Sequence, residues 1–451
     1  MNEYTYGFMD VLLGLQWGDE GKGKHIDALL CLDKDGKLRY HNVARFQGGP
    51  NAGHTLEVGK IKFVSHMIPS GCLNKKINNY IGNGMVIDPV ILMDEIKQLK
   101  KLGIDITKRL FISDRATLIS PYAPLLDRAE DFRKSRKGDD KKVGTTAKGI
   151  GPAYSDKCLR IAFKAGDILS KTFFDDVAIM RNYYGAILRM YKNEYDFEFN
   201  RDALMKRVND WYRAIKQMRK LMIIDVGAKL RKELARGRNI LAEGAQGILL
   251  DVDHGDYPNV TSSSTLPANA ALGLGVPFQV IRDVYGVMKP YGTKVGGGAY
   301  PSRMDPVTEE QFREAGNEYG ATTGRPRMCG WLDMPALIYA LELSGVNKIL
   351  ISKADVCPAH EVRVVLAYKS GKKILKEFPR KLDSVTGVVT RKFKGWDCSS
   401  VKNISKIDLP SSLANYLHFL KNEIELKTGK SVLIESIGIG PERSQLVKWE
   451  K

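Results

Sequence analysis

Residues 8–24, FMDVLLGLQWGDEGKGK, constrain the fold more than any other part of the sequence. They begin with an apolar run that only Asp10 interrupts and that ends at Gly14, a pattern typical of a buried parallel strand. A loop rich in glycine and lysine follows, and a helical pattern starts at His25. Glycines allow successive backbone N–H groups to converge on one anion at a helix N-terminus, and a lysine adds positive charge. The segment therefore predicts a phosphate-binding loop in an α/β protein.

This loop departs from the usual phosphate-loop pattern at two points. Residues 18–24 satisfy G-x-x-x-x-G-K, but His25 stands where that pattern needs serine or threonine to bind magnesium. Asp19 and Glu20 also place two carboxylates inside the loop, where they would repel phosphate unless they share a magnesium ion or one of them transfers a proton. The alternative is a glycine-rich turn with solvated charges, since short glycine motifs recur by chance.

The composition excludes several classes of protein. With 451 residues, 43% hydrophobic and 27% charged, the chain resembles an ordinary globular protein. The six cysteines contain no C-x-x-C pair, so they indicate neither a zinc site nor a disulfide framework. We expect a cytoplasmic protein, because the sequence shows neither a basic leader nor a long apolar run. The net charge of +18 favours anionic partners, either nucleic acid or small polyanions. The lysines are not interleaved with aromatic residues, however, and a solvated basic surface explains them equally well.

Apolar strand patterns alternate with helical patterns through most of the chain. This alternation predicts an α/β fold with a large, mostly parallel central sheet and helices on both faces. Residues 166–238 carry helical periodicity with many charges, and we interpret them as a mainly helical insertion. Because no repeat or low-complexity linker divides the chain, residues 1–451 are expected to form a single domain. Strands are predicted at 43–46, 79–85, 239–242, 346–352 and 431–435, helices at 89–102 and 413–426, and a hairpin at 362–379.

Several loops between these elements are candidates for ligand binding. The loop at 47–55 contains His54, which is either catalytic or structural. Thr145 and Thr146 precede a glycine-rich turn and could bind a phosphate monoester. Gln246 could read a purine edge with its amide, and the glycines at 296–298 could allow a sugar or base to approach the backbone. The loop with Thr145 and Thr146 could instead be an ordinary loop between helices.

Two further loops carry charges that suit anionic or base ligands. Arg325 and Arg327 follow two threonines and form a fork suited to the carboxylates of a dianionic ligand, although a surface turn with solvated arginines is the alternative. Lys353 and Asp355 follow a predicted strand in the sequence S-K-A-D. A carboxylate at the end of a parallel strand can accept both the N1–H and the exocyclic amine of guanine, so this segment is similar to the base-reading [NT]-K-x-D element of GTPases.

Taken together, these motifs resemble those of the adenylosuccinate synthetase family, in the family's order, from about residue 8 to residue 447. The resemblance implies a P-loop-related, GTP-binding architecture that acts as a homodimer. Such an enzyme joins IMP to L-aspartate with GTP and Mg²⁺ in purine biosynthesis. The motifs are WGDEGKGK (17–24), GGPNAGHT (48–55), GTTAKGIGPAY (144–154), EGAQG (243–247), YPNVTSS (257–263), ATTGRPR (321–327), GWLD (330–333), SKAD (352–355) and GPER (440–443).

The resemblance also implies a mechanism. Asp19 would remove the N1 proton of IMP, so that O6 attacks the γ-phosphate of GTP and forms 6-phosphoryl-IMP. His54 would donate a hydrogen bond to the transferred phosphoryl group, and Lys22 would offset its charge. Magnesium would be held by Asp19 and the carbonyl of Gly53. The amine of aspartate would then displace phosphate.

The other binding residues follow from the same resemblance. GTP would contact Gly18, Glu20, Gly21, Lys22, Gly23, Lys24, Gly53, His54, Thr55, Lys353, Asp355, Gly438, Gly440 and Pro441. IMP would contact Asp19, Asn51, Thr145, Thr146, Arg160, Gln246, Thr261, Val295, Gly296 and Arg325, with Arg160 reaching across from the second subunit. Aspartate would contact Thr322, Thr323, Arg325 and Arg327.

Some positions depart from the family's usual pattern beside the expected IMP and ribose contacts. A paralogue that acts on a deoxy or 2-amino purine monophosphate is therefore an alternative. A GTP-binding switch or a nucleic-acid-binding protein is a second one, although neither needs Asp19 in the loop or the arginine fork. The departures are Leu15, Asp256, Asn259 and the stretches 264–269 and 299–303.

Overall fold

The computed structural model describes residues 6–32, 35–59, 61–136, 145–320, 324–357, 361–398, 401 and 409–449. The strands are β1 (Met9–Gly14), β2 (Asn42–Arg45), β3 (His54–Val58), β4 (Ile61–Ser65), β5 (Asn78–Ile81), β6 (Val86–Ile87), β7 (Leu110–Ser113), β8 (Thr117–Leu118), β9 (Met222–Ile224), β10 (Ile240–Glu243), β11 (Ile281–Met288), β12 (Tyr291–Lys294), β13 (Met328–Asp333), β14 (Lys348–Ile351), β15 (Glu361–Ser370), β16 (Lys373–Leu375), β17 (Gly387–Lys394), β18 (Leu433–Gly438) and β19 (Leu446–Lys448). The helices are α1 (Lys22–Leu29), α2 (Pro89–Lys101), α3 (Ala123–Ser135), α4 (Ile150–Leu159), α5 (Phe173–Tyr195), α6 (Arg201–Met218), α7 (Val226–Ala235), α8 (Ala268–Leu274), α9 (Pro306–Gly316), α10 (Met334–Ser344) and α11 (Ser411–Thr428).

A ten-stranded sheet forms the centre of the protein, in the order β19-β18-β14-β11-β1-β10-β2-β5-β7-β9. Neighbouring strands run parallel throughout, except that β19 pairs antiparallel with β18 at one edge. Because parallel strands share one direction, their carboxyl ends meet along one edge of the sheet, where ligands of α/β proteins bind. The predicted mostly parallel sheet is confirmed.

Strand β1 lies in the middle of this sheet, and both of its faces are covered. Leu12 packs with residues of α1, whereas Met9, Val11 and Leu13 pack with residues of α7 and α8 on the other face. The one polar residue, Asp10, is buried at the start of the strand, where the Tyr40 hydroxyl donates to it at 2.5 Å. The predicted helices on both faces are therefore confirmed.

A second sheet, which the sequence analysis did not predict, contains β12, β13, β15, β16 and β17. The hairpin expected at 362–379 is present as β15 and β16, but β15 also pairs with β13 and β17. Strand β12 continues the chain just after β11 of the central sheet and pairs antiparallel with β13. This second sheet therefore carries the residues at 294–298 and 324–327 to the edge where the central strands end.

The interval predicted as a helical insertion, residues 166–238, contains α5, α6 and α7 but also β9, which pairs with β7 at the edge of the central sheet. The amphipathic helices α5 and α6 pack through aromatic residues, including Trp211, whose ring stacks at 6.0 Å on Phe173. Among the described residues, no helix is both long and apolar enough to cross a membrane.

Candidate active site

A cavity of about 1090 Å³ opens at the carboxyl ends of β1, β2, β10 and β14. The loop between β1 and α1 forms its floor. Gly18 and Gly21 have φ angles of 86° and 87°, and Asp19 has a φ of 60°, so this loop uses the left-handed region three times within four residues. The predicted residues that line the cavity are Gly18, Asp19, Gly21, Lys22, Gly23, Lys24, Asn51, Gly53, His54, Thr55, Thr145, Thr146, Gln246, Thr261, Val295, Gly296, Arg327, Lys353, Gly440 and Pro441.

The two adjacent carboxylates of the loop point in opposite directions. The side chain of Asp19 lines the cavity and is 37% exposed, whereas that of Glu20 is fully buried beneath the loop. Glu20 Oε1 accepts the backbone N–H of Gly18 at 2.8 Å, and its Oε2 accepts Lys22 Nζ at 2.6 Å. The carboxylate of Glu20 therefore supports the loop from below, and the contact of this residue with GTP stays a prediction.

Lys22 is fixed from two sides while it faces the cavity. Besides Glu20, its ammonium donates to the carbonyl of Gln246 at 2.6 Å. An ammonium has three N–H donors, so one remains for a ligand. Gln246 itself has a φ of 57°, and its buried Oε1 accepts no hydrogen bond. A buried acceptor without a donor costs free energy, which indicates that an N–H group of a ligand donates a hydrogen bond to this oxygen.

Asp19 faces a second charged group across the cavity. Arg327 Nε lies 3.0 Å from Asp19 Oδ2, but this N–H makes no aligned hydrogen bond. The other side of the guanidinium donates to the buried carboxylate of Glu318 at 2.6 Å. Arg327 is therefore held in place independently of Asp19, and its Nε–H is available to a ligand.

His54 is paired with a carboxylate that the sequence analysis did not single out. Its Nδ1 lies 2.5 Å from Glu243 Oε1, and Glu243 also accepts the backbone N–H and the hydroxyl of Ser70 at 2.8 and 2.7 Å. Burial lowers the pKa of His54, although Glu243 opposes this effect. Burial alone would raise the pKa of Glu243, but His54, Arg45 and Ser70 together lower it. The ligand-free pair is therefore a neutral imidazole and an ionised carboxylate.

Lys24, Lys353 and Asp355 meet at the opposite end of the cavity. Lys24 Nζ donates to the carbonyl of Gly440 at 2.6 Å, and Gly438 leaves room for this ammonium, because a Cβ there would lie 3.2 Å from it. Burial lowers the pKa of Lys24 to about 8, against the attraction of Asp355. Asp355 lies just behind the cavity wall, and its buried Oδ1 accepts no hydrogen bond. This end thus offers one unsatisfied carboxylate oxygen to a donor.

The loops at 51, 145 and 261 form the wall between these two ends. Asn51 Nδ2 lies 3.5 Å from the hydroxyl of Thr261, and the Thr145 hydroxyl donates to Asp127 at 2.9 Å. Asp127 also accepts the backbone N–H of Gly149 at 3.0 Å, which shapes the turn before α4. These loops therefore present hydroxyl, amide and backbone donors to the cavity.

Among the described residues, five predicted ones are absent from the cavity wall: Glu20, Arg160, Arg325, Asp355 and Gly438. Arg160 ends α4 with a φ of 63° and is exposed, and Arg325 is also exposed on the loop before β13. Thr322 and Thr323 lie outside the described residues.

Asp256 and Asn259, two of the departures noted in the sequence, contact the end of β12 and the glycine loop that follows it. Asp256 accepts a bond at 3.1 Å from Lys294, and both side chains are buried. Asn259 occupies the space beside Gly298, where a Cβ would lie 2.2 Å from its Nδ2. Both contacts join the loop at 256–259 to the glycine loop at 295–298.

Comparison with known proteins identifies the family. The adenylosuccinate synthetase family model matches residues 11–447. The chain belongs to the adenylosuccinate synthetase family. It is 42% identical to the adenylosuccinate synthetase of Cytophaga hutchinsonii, with 97% of each chain covered, and 41% identical to that of Flavobacterium johnsoniae, with 97% of this chain and 99% of the relative covered. The family resemblance seen in the sequence is confirmed.

Solved structures agree with this assignment. The fully ligated adenylosuccinate synthetase of Plasmodium falciparum matches with a TM-score of 0.84 and 33% identity, over 98% of this chain and 100% of that one. A cyanophage S-2L succinoaminodeoxyadenylate synthetase bound to dGMP and dATP matches with a TM-score of 0.59 and 19% identity, over 98% of this chain and 95% of that one, and this likeness concerns the fold alone. As a member of the adenylosuccinate synthetase family, the chain is a GTP-dependent ligase that joins IMP to L-aspartate in AMP biosynthesis.

Proposed function

We propose that this member of the adenylosuccinate synthetase family works through 6-phosphoryl-IMP, with Asp19 as the base that takes the N1 proton of IMP. The observation that carries the proposal is the opposite orientation of the two loop carboxylates, since only Asp19 faces the cavity. Removal of the N1 proton places negative charge on O6, which then attacks the γ-phosphate of GTP. The amine of aspartate subsequently attacks C6, and phosphate leaves.

His54 would act as the hydrogen-bond donor to the phosphoryl group in transfer. Its neutral imidazole directs the Nδ1 proton to Glu243, which leaves Nε2 without a proton. A phosphoryl group carries negative charge and would raise the pKa of the ring, so that Nε2 gains a proton and donates to it. Glu243 would stabilise the resulting imidazolium. We therefore propose Glu243 as a positioning residue for His54, and Lys22 as a second positive charge on the transferred group.

The unsatisfied polar atoms at the two ends of the cavity support the assignment of different parts of the site to the three substrates. The unsatisfied Oδ1 of Asp355 suits the N1–H and amine of guanine, with Lys24 and Lys353 beside it. The unsatisfied Oε1 of Gln246 suits a donor of the IMP purine or ribose. We assign the IMP phosphate and sugar to Asn51, Thr145, Thr146, Thr261, Val295 and Gly296, and the carboxylates of aspartate to Thr322, Thr323, Arg325 and Arg327.

Magnesium fits this site with few protein ligands. Among the described residues, no group of three acidic, histidine or cysteine side chains is arranged to hold a metal. Magnesium, however, is usually held by one or two carboxylates together with substrate phosphates and water. The carboxylate of Asp19 and the carbonyl of Gly53 line the same cavity and would hold it. When bound, magnesium would neutralise the charge that develops on the phosphates.

We also propose that the enzyme is a cytoplasmic homodimer. Arg160 is exposed beside Leu159 and Ile161, which are 56% and 38% exposed, and the neighbouring α5 presents Ile179 and Tyr183 at 72% and 45%. Exposed apolar residues around an arginine are typical of a protein interface. Arg160 would then reach the IMP site of the second subunit. A cytoplasmic location agrees with the lack of any disulfide among the six cysteines.

Product analysis tests the proposal. Wild-type enzyme with IMP, GTP, magnesium and aspartate should release adenylosuccinate, GDP and phosphate. Asp19→Ala should bind GTP with near-normal affinity but lose turnover by roughly 10³-fold or more, as expected for a removed general base. Turnover by this variant within about tenfold of wild type would refute the role of Asp19.

A further inference from the structure

Glu318 forms a buried charge cluster that no role above explains. Its side chain is fully buried and accepts four hydrogen bonds from side chains. Oε1 accepts Lys289 Nζ at 3.0 Å, Lys353 Nζ at 2.8 Å and the Tyr291 hydroxyl at 2.6 Å, while Oε2 accepts Arg327 Nη1 at 2.6 Å. One carboxylate thus pairs with three cations. We call Glu318, Lys289, Tyr291, Lys353 and Arg327 the Glu318 cluster.

The cluster connects segments that are far apart in the sequence. Lys353 follows β14 at the guanine end of the cavity, whereas Arg327 immediately precedes β13 at the end assigned to aspartate. Only these two members of the cluster line the cavity. Glu318 also fixes the backbone between them, because its carbonyl accepts the N–H of Arg327 at 2.9 Å. The loop at 318–327 is therefore closed at its base by both the main chain and the side chain of Glu318.

The surroundings offer only partial substitutes for this carboxylate, because Asp19 lies 3.0 Å from Arg327 Nε alone and Lys353 otherwise donates to the carbonyl of Gly316 at 2.6 Å. Gly316 lies against the carboxylate, and a Cβ there would approach the Tyr291 hydroxyl to 2.7 Å and Glu318 Cγ to 3.1 Å. Lys289 is fully buried and otherwise donates only to the Thr293 hydroxyl. The three cations together lower the pKa of Glu318 far below its usual value, so the carboxylate is ionised at any working pH. Without it, three positive groups would face one another in a buried space, and repulsion would move the two with access to the cavity.

We propose that Glu318 is a positioning residue that holds Arg327 for aspartate and Lys353 for GTP through a single carboxylate, and so sets the affinity for both substrates together. The inference rests on the proposed roles of Arg327 and Lys353. It adds that the two pockets share one support, although their ligands contact different residues. Binding of IMP depends on other loops and should be largely independent of Glu318.

Steady-state kinetics of Glu318→Gln test this inference. The substitution keeps the size of the side chain but removes its charge, so the hydrogen bonds that Glu318 accepts from the three cations are weakened. We therefore expect the KM values for aspartate and for GTP each to rise about tenfold or more, while the KM for IMP changes by less than about twofold. Glu309→Gln is the matched control. Glu309 is also a buried carboxylate, and it accepts Arg303 at 2.9 Å and the N–H of Cys329 at 2.9 Å, but none of these residues lines the cavity.

A second variant separates positioning from simple charge imbalance. Lys289→Met combined with Glu318→Gln removes one cation together with the anion. The double variant should therefore be less destabilised than the single variant. It also replaces the single variant if Glu318→Gln does not fold. Raised KM values for both aspartate and GTP in the double variant support positioning. Normal KM values in the double variant, an equal rise for IMP, or the same changes in Glu309→Gln would overturn the inference.

The failure of the proposed residue roles is distinguishable from failure of this inference. If Arg327→Ala leaves the KM for aspartate unchanged, or Lys353→Met leaves the KM for GTP unchanged, the role assigned to that residue is wrong and the inference fails with it. If both variants raise their KM values but Glu318→Gln raises neither, only the shared support is wrong.

Discussion

Replacing Glu243 by glutamine would test the proton chemistry of His54 directly. The substitution keeps the shape of the side chain, but it replaces a carboxylate that accepts His54 Nδ1 and two groups of Ser70. A glutamine has only one acceptor atom for these three donors. Whichever way its amide turns, one N–H or O–H of His54 or Ser70 loses its partner.

The expected magnitude follows from the charge that His54 would gain during phosphoryl transfer in the proposed mechanism. A hydrogen bond to a charged group contributes about 1.5–3 kcal/mol, and about 1.4 kcal/mol changes a rate tenfold. We therefore expect kcat to fall by about 10- to 150-fold, with smaller changes in KM. The carboxylate opposes the effect of burial on the pKa of His54, so its removal lowers that pKa further. Activity that needs protonated His54 is lost as pH rises through this pKa, and the alkaline limb of the kcat profile should move to lower pH.

The assay is phosphate release with saturating IMP, GTP, magnesium and aspartate, measured across pH. Asp333→Asn is a suitable control, because Asp333 is another buried carboxylate that accepts a hydroxyl, from Tyr368 at 2.6 Å, and it does not line the cavity. Its kcat profile should match that of wild type. A Glu243→Gln enzyme with reduced thermal stability but with normal kcat and an unchanged pH profile would refute the reasoning.

Other predictions concern the loop, the guanine pocket and the purine substrate. Gly14→Ala should lower the free energy of unfolding, measured in denaturant, by about 1–3 kcal/mol or more. The Cβ of the new alanine would lie 2.1 Å from Glu20 Oε2 and would force that carboxylate from beneath the loop. Unchanged stability would contradict this account. Asp355→Asn should raise the KM for GTP by about 10-fold or more, since one acceptor for guanine becomes a donor; an unchanged KM would remove Asp355 from the pocket. Compared as substrates, IMP should be used and dGMP should not, and turnover with dGMP alone would favour the alternative of a 2-amino purine substrate.

Local pattern was sufficient to predict the central part of the fold. The apolar run at 8–13, its end at Gly14 and the helical pattern after it depend only on neighbouring residues, and the structure has β1 and α1 there. Helix α2, predicted at 89–102, occupies Pro89–Lys101 because Asp88 caps its first turn and a glycine follows its end. The second sheet was missed because β13 pairs with β15 in parallel, and short strands give no sequence signal for partners that are not adjacent.

The site was predictable only where a single loop carries the chemistry. Both Asp19 and Glu20 are acidic and adjacent, and no property of either side chain says which one faces the phosphates. The backbone decides, because left-handed φ angles at residues 18, 19 and 21 turn Asp19 outward and Glu20 inward. The inward position is possible only because Gly14 and Gly247 lack a Cβ, which would lie 2.1 and 2.7 Å from the Glu20 carboxylate. Two distant glycines thus decide which carboxylate faces the cavity, and a motif confined to residues 17–24 cannot contain that information.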